Sequence, residues 1–219
     1  MNTQATFAEN SFYHIYNRTN NKEPLFLSDN NRIYFLRLIN QKLTPFINIY
    51  SYALLLNHFH LSVSVKSISQ IVSNLESIPQ YNLGVVQKKF LDSEIKSELI
   101  HDLISMQFSG LFNSYSQAFN KMQGRNGNLF HRPFKRALIK HHTKFAFNQY
   151  YVHHNSEKHK VCHTFIDDPW HSYHTLISDK ETFLNREYVL NFFGGKEEFI
   201  KFHNTPVADI NFEGISIED

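Results

Sequence analysis

The stretch Leu54–Val65, LLLNHFHLSVSV, places two histidines inside a run that otherwise reads as a buried strand. Side chains alternate along a strand, so His58, His60, Ser62 and Ser64 share one face. Phe59, Leu61, Val63 and Val65 take the other. One face is apolar and suits packing on helices, while the other carries two imidazoles spaced to meet a single ion. A histidine in a strand is more often structural than a ligand, and H-x-H pairs arise by chance. The pair needs support from elsewhere in the chain.

Ahead of it, INIYSYALLLN reads as another strand, joined through a tight turn at Asn57. SFYHIYNR (Ser11 to Arg18) alternates aromatic and polar residues, again as a strand does. Between the two, Asp29 is placed to cap a helix with the apolar spacing Ile33, Phe35, Leu36, Ile39 and Leu43, ending near Pro45. Residues 69–120 are mostly helical in pattern, GRNGN is a turn, and LFHRPFKRALIK is extended with an interruption at Pro133. A helix is expected from His141 to His159, then a DPW turn, helical FLNREYVLNFF, a Gly-Gly break and EEFIKFH.

This order predicts an α+β fold: a ferredoxin-like split β-α-β antiparallel sheet with helices on one face and the histidine face open. One domain over 1–166, with a helical insert at about 69–120, and a helical tail over 167–219 packed on it are expected.

The 219 residues are 42% hydrophobic, with 7 Gly and 6 Pro, as in an ordered globular chain long enough for a substantial core. The opening MNTQATFAENSF is no signal sequence, and no apolar run reaches membrane-spanning length. The single Cys162 excludes an internal disulfide and a cysteine zinc site, and fits a cytoplasmic location. A net charge of +2 conceals an uneven distribution. No Asp or Glu occurs from Asn30 to Leu75 or from Leu103 to Ser156, and the second stretch carries Lys121, Arg125, Arg132, Lys135, Arg136, Lys140 and Lys144. Acid-free segments folded together make a positive surface suited to a polyanion, and nucleic acid is the expected partner.

The helix from His141 holds the second half of a site. At about 100° per residue, Lys144, Asn148, Asn155 and Lys158 fall on the face of Tyr151, while Phe145, Ala146, Gln149 and Val152 turn away to pack. Tyr151 and Asn155 are one turn apart, so phenol and carboxamide project side by side. Taken alone, that helix reads more readily as an ordinary amphipathic element whose tyrosine covers a core edge. Tyr150 is a rival nucleophile, about 100° around the helix, with His154 one turn beyond it.

Here the residues form a familiar set. NHFHL after an apolar strand resembles the HUH motif, two histidines flanking a bulky apolar residue, and YVHHN resembles the helix that carries the nucleophile of single-tyrosine HUH transposases. The chain is similar to the REP-associated tyrosine transposases and their insertion-sequence relatives. FN at Phe119–Asn120, GNLFHRPFK from Gly127 to Lys135 and WHSYHTLIS from Trp170 to Ser178 follow in the expected order, and the similarity spans roughly Phe12 to Ser178. Two positions depart from the family pattern: Asn155 is followed by Ser156 instead of Pro, and His171 stands where a small residue is common. The segment from Ile78 to Ile100 matches nothing in the family.

The resemblance implies a HUH endonuclease-type fold and DNA transposition chemistry on single-stranded hairpin DNA. Tyr151 would be the nucleophile, forming a 5′-phosphotyrosine and a free 3′-hydroxyl. His58, His60 and Asn155 would hold Mg²⁺ or Mn²⁺, a donor set of imidazole and amide oxygen that Mn²⁺ tolerates better. His154 stands open as a fourth ligand or proton shuttle. No nucleotide cofactor is expected, since the covalent link retains the phosphodiester's free energy and the chain has no GxxxxGK[ST] loop. Arg132, Lys135, Arg136, Lys140 and Lys144 are candidates for DNA contacts, and a homodimer is a candidate assembly. Two other classes remain open: a non-catalytic DNA- or RNA-binding module, and a HUH relaxase or replication-initiator nickase.

Overall fold

The computed structural model describes residues 4–206, so the last part of the expected tail, 207–219, lies outside the described residues. Its strands are β1 (Phe12–Arg18), β2 (Ile47–Leu54), β3 (His58–Val65) and β4 (Lys135–Ile139). They form one antiparallel sheet in the order β2-β3-β1-β4. Helix α1 (Asp29–Leu43) connects β1 to β2. Helices α2 (Ile68–Glu76), α3 (Val85–Asp92) and the long α4 (Lys96–Gln123) connect β3 to β4. After β4 come α5 (His142–His153), the single turn α6 (Asn155–Lys158), α7 (Tyr173–Ile177), α8 (Arg186–Phe193) and α9 (Lys196–Asn204). The sheet is the expected ferredoxin-like one, a split β-α-β unit with β3 between β1 and β2.

The apolar alternation of β3 does what its pattern dictates. Phe59, Leu61 and Val63 are fully buried beside Tyr13 and Ile15 of β1. The Phe59 ring meets Phe35 of α1 at 5.1 Å and Phe112 of α4 at 5.8 Å, so these two helices cover that face. Each such buried side chain contributes about 2 kcal/mol. In α1 the cap position is Ser28, and Asp29 is instead the first helical residue, where its charge suits the helix N-terminus. Ile33 is exposed at 49%, because it lies on the opposite side of α1 from Phe35. Leu38 and Asn31 are buried in its place, the latter accepting the Leu27 N–H at 3.0 Å.

The histidine face does not stay open. Helix α5 lies across it: Gln149 Nε2 donates to Ser62 Oγ at 2.8 Å, and Phe145 packs edge-on against Phe12 and Tyr50 at 5.5 and 5.3 Å. That face is only half polar, since Phe12 and Tyr50 stand beside the histidines and serines, and their apolar area drives the helix onto it. Helices therefore flank both sides of the sheet. The expected helix from His141 to His159 is also interrupted. Helix α5 ends at His153, His154 is non-helical (φ −85°, ψ 6°), and α6 restarts at Asn155.

The tail wraps the outer edge of β2. The Leu54 N–H donates to the Trp170 carbonyl, Ser172 N–H to Tyr52 and Asn185 N–H to Ile49, each at 2.8–2.9 Å. Gly194 and Gly195, at φ 87° and 121°, turn the chain sharply from α8 into α9, a path that side-chain-bearing residues resist. No helix among the described residues is long and apolar enough to cross a membrane.

Candidate active site

Antiparallel pairing places the site at one end of the sheet's covered face. Across β1 and β3, Arg18 stands opposite His58, Tyr16 opposite His60 and His14 opposite Ser62. The rings of His58 and His60 lie 5.2 Å apart, nearly perpendicular. Asn155, released from α5 by the break at His154, brings Oδ1 to 3.4 Å from His58 Nε2. Tyr151 comes down from the last turn of α5 and stands edge-on to His60 at 5.6 Å and to His14 at 5.7 Å. Lys158 Nζ lies 4.6 Å from the centre of the Tyr151 ring and 3.5 Å from its hydroxyl. Residues expected on one strand and one helix thus converge, the helix now being two.

The electrostatics keep the imidazoles neutral. Burial, reinforced by the nearby His159, pushes His58 down to about 4, although the Asn155 contact works the other way. Burial and the neighbouring His14 and His58 drive His60 well below the ordinary histidine value, and burial takes His14 to about 3. Neutral imidazoles offer lone pairs at neutral pH, the form in which histidine binds metals. Asn57 Oδ1 lies 2.7 Å from His58 Nδ1, so that nitrogen carries the proton and Nε2 is left as the donor atom beside Asn155. Two acceptors held 3.4 Å apart are otherwise mutually repulsive. Ligands at about 2.1 Å from one cation stand roughly 3 Å from each other, so the pair fits a shared ion. Among the described residues no group of three or more His, Cys, Asp or Glu side chains could hold a metal ion, so an ion at this site would need the Asn155 amide oxygen as well.

No family model and no curated protein matches the chain. A solved structure does: a REP-associated tyrosine transposase bound to a REP hairpin, with a TM-score of 0.52 and 12% identity, over 80% of this chain and 84% of that one. The likeness is one of fold. It extends over most of both chains.

Tyr150 and His154 belong elsewhere. Tyr150 stacks on His154 at 3.8 Å and directs its hydroxyl to the Thr205 carbonyl at 3.4 Å, while His154 Nε2 bonds the His203 carbonyl at 2.9 Å. Both face the tail instead of His58 and His60, so His154 is not positioned as a fourth ligand. The basic residues also divide. Arg136 is half-buried, donates to the Ala5 carbonyl and lies between the Phe7 and Phe134 rings at 5.4 and 5.3 Å, which makes it an anchor for the N-terminal segment. Lys135 and Lys140 are exposed on β4 and just after it, and Lys144 is half-buried on α5. Arg132 is exposed beside a groove of about 690 Å³ that Asn113 and Gln117 of α4 also line.

Three residues near the site escaped the sequence reading as participants: His14, Arg18 and His159, whose ring is 5.0 Å from His58. His14 and Arg18 follow from the same alternation that gave His58 and His60, once β1 is known to be the neighbour of β3. His159 lies beyond the helix break and carries no such signal.

Behind Tyr151, a directed hydrogen-bond chain ties α5 to the tail. His203 Nδ1–H donates to the Phe199 carbonyl at 2.9 Å, which leaves its Nε2 to accept from His153 Nδ1–H at 2.8 Å. His153 Nε2 then accepts the Ser172 hydroxyl at 2.8 Å, and Ser172 Oγ accepts the Tyr52 N–H at 2.9 Å. An added proton on either ring sets two donors against each other. Burial accordingly holds His203 at about 3 and His153 well below its ordinary value. The unfolded chain binds these protons first, so stability is full above about pH 6.5 and declines as pH falls toward 3. Each group removes about 1.4 kcal/mol per pH unit within that window. Urea midpoints should drop between pH 7 and pH 5, above the carboxylate range. The drop should shrink in His203→Gln, and an equal drop in both proteins would count against the chain.

Proposed function

We propose that the protein is a single-tyrosine, metal-dependent transposase-type nuclease that cuts and rejoins single-stranded hairpin DNA through Tyr151. The observation that carries this reading is the convergence of Tyr151 on His60, with Asn155 Oδ1 on His58, from strands and helices nearly a hundred residues apart. The solved neighbour is described as bound to a REP hairpin, and its fold supports the same substrate class here.

The Tyr151 oxygen attacks the scissile phosphorus and forms the Tyr–O–P bond. The P–O3′ bond breaks, the phenolic proton is lost to solvent, and the departing 3′ oxygen takes up a proton. Lys158 places a positive charge 3.5 Å from the attacking oxygen, where phenolate and phosphate charge meet. His58, His60 and Asn155 would hold a divalent cation that polarises the phosphate and neutralises charge on the leaving oxygen. Rejoining runs the same exchange backwards, with an incoming 3′-hydroxyl displacing the tyrosine.

Incubation with a single-stranded hairpin oligonucleotide and Mn²⁺ should yield a DNA adduct that survives denaturation, together with a free 3′ end. Tight binding without cleavage would instead make the protein a binding module. The DNA path has its own test. Replacing Arg132, Lys135 and Lys140 together by Gln should weaken single-strand binding and flatten its salt dependence, since each lost phosphate contact removes a slope of about 0.7. An unchanged slope would move the strand to another surface.

A further inference from the structure

His14 is fully buried on β1, and its Nε2 lies 2.9 Å from His60 Nδ1, with the two rings 16° from parallel. One proton serves this contact, and it can sit on either ring. If His14 donates from Nε2, His60 accepts at Nδ1 and carries its own proton on Nε2. If His60 donates from Nδ1, its Nε2 keeps a lone pair. Only the second arrangement lets His60 Nε2 bind a cation.

The two arrangements differ in what they ask of His14. In the second, His14 must hold its proton on Nδ1, a buried atom with no hydrogen-bond partner. An orphaned donor costs about 1–3 kcal/mol. In the first, that proton sits on His60 Nε2, which is also a buried atom, so burial does not separate the two arrangements, whereas a cation that needs the His60 Nε2 lone pair does. Both contain the same number of protons, so neither needs acid or base to reach.

We propose that His14 is a positioning residue that controls which nitrogen of His60 is available, and that a bound divalent cation fixes the pair in the second arrangement. The inference rests on the reading of His60 as a ligand. Without cation, both tautomers are open to the pair. With cation, the shared proton belongs to His60, and His14 accepts it. His14 thereby orients the His60 ring and raises the basicity of the ligating nitrogen, as outer partners of metal-bound histidines do.

The test uses full-length Tyr151→Phe protein, which cannot turn over. Nitrogen-15 NMR of the histidine rings should show His60 protonated on Nδ1 and not on Nε2 with saturating Mg²⁺. Mn²⁺ titration followed by electron paramagnetic resonance should give about 10–100-fold weaker binding in His14→Phe. His14→Gln, whose amide oxygen accepts the His60 Nδ1–H, should restore affinity to within a few-fold. Parent affinity in a folded His14→Phe variant, or a His60 that stays protonated on Nε2 with saturating Mg²⁺, would overturn the proposal. If His14→Phe does not fold, the His14→Gln titration and the NMR comparison still decide. Unchanged Mn²⁺ binding by His60→Ala identifies failure of the ligand reading itself.

Discussion

Tyr151→Phe should form no covalent DNA adduct and release no 3′ end, with strand cleavage falling on the order of a millionfold, the scale on which covalent enzymes respond to loss of their nucleophile. The substitution removes one oxygen and keeps the ring that stands against His14 and His60. The approach of Lys158 Nζ to the Tyr151 hydroxyl is long, at 3.5 Å, and losing it should cost about 1 kcal/mol of folding stability. Hairpin binding should be retained. Tyr150→Phe is the matched control: it removes a long contact to Thr205 and should leave adduct formation intact. Peptide mapping of the trapped adduct decides between the two. A phosphonucleotide on Tyr150 would require α5 to turn by about 100° from the orientation described here.

His58→Ala should abolish Mn²⁺-supported cleavage while leaving hairpin binding within a few-fold, because the proposed DNA path is the basic surface and not the ion. His58 is the cleaner of the two histidines to remove. It is only partly buried, whereas truncating His60 also strips His14 of its 2.9 Å partner in the interior. Removing His58 also leaves Asn155 Oδ1 without its neighbour. Mn²⁺ affinity should weaken by on the order of a hundredfold or more, given that even an outer partner is worth 10–100-fold. The measurements are cleavage with and without EDTA, and Mn²⁺ titration of the same protein. Cleavage that survives either treatment would mean that the two-histidine arrangement serves the fold alone.

Much of this was legible locally. Alternation over His58–Val65 separates a core face from the histidine face without any knowledge of neighbours, and the strand–helix order leads to the sheet. What escaped depends on distant partners. The histidine face looked open because its polar residues were read without Phe12 and Tyr50, which recruit Phe145 and with it the whole of α5. The break at His154 has no Pro or Gly to announce it; it coincides with the bond from His154 to the His203 carbonyl, nearly fifty residues away, and with the turn of Asn155 toward His58. His14 was invisible as a participant for a related reason. Only the β1–β3 register shows that its ring reaches His60.

The strap of tail residues along β2 bears on how copies of this protein can meet. An outer strand with unsatisfied N–H and C=O groups is a template for another chain, and it leads to open-ended stacking. Trp170, Ser172 and Asn185 occupy those groups on β2, and on the opposite margin the Ala5 N–H donates to the Arg136 carbonyl of β4. Both margins of the sheet are thus partly occupied by chain that is not itself strand. Two copies joining through continuous β-structure would first have to peel one of these segments away. A homodimer of the intact fold is therefore expected to meet through side-chain surfaces, and loss of the tail should make the protein prone to aggregate through β2.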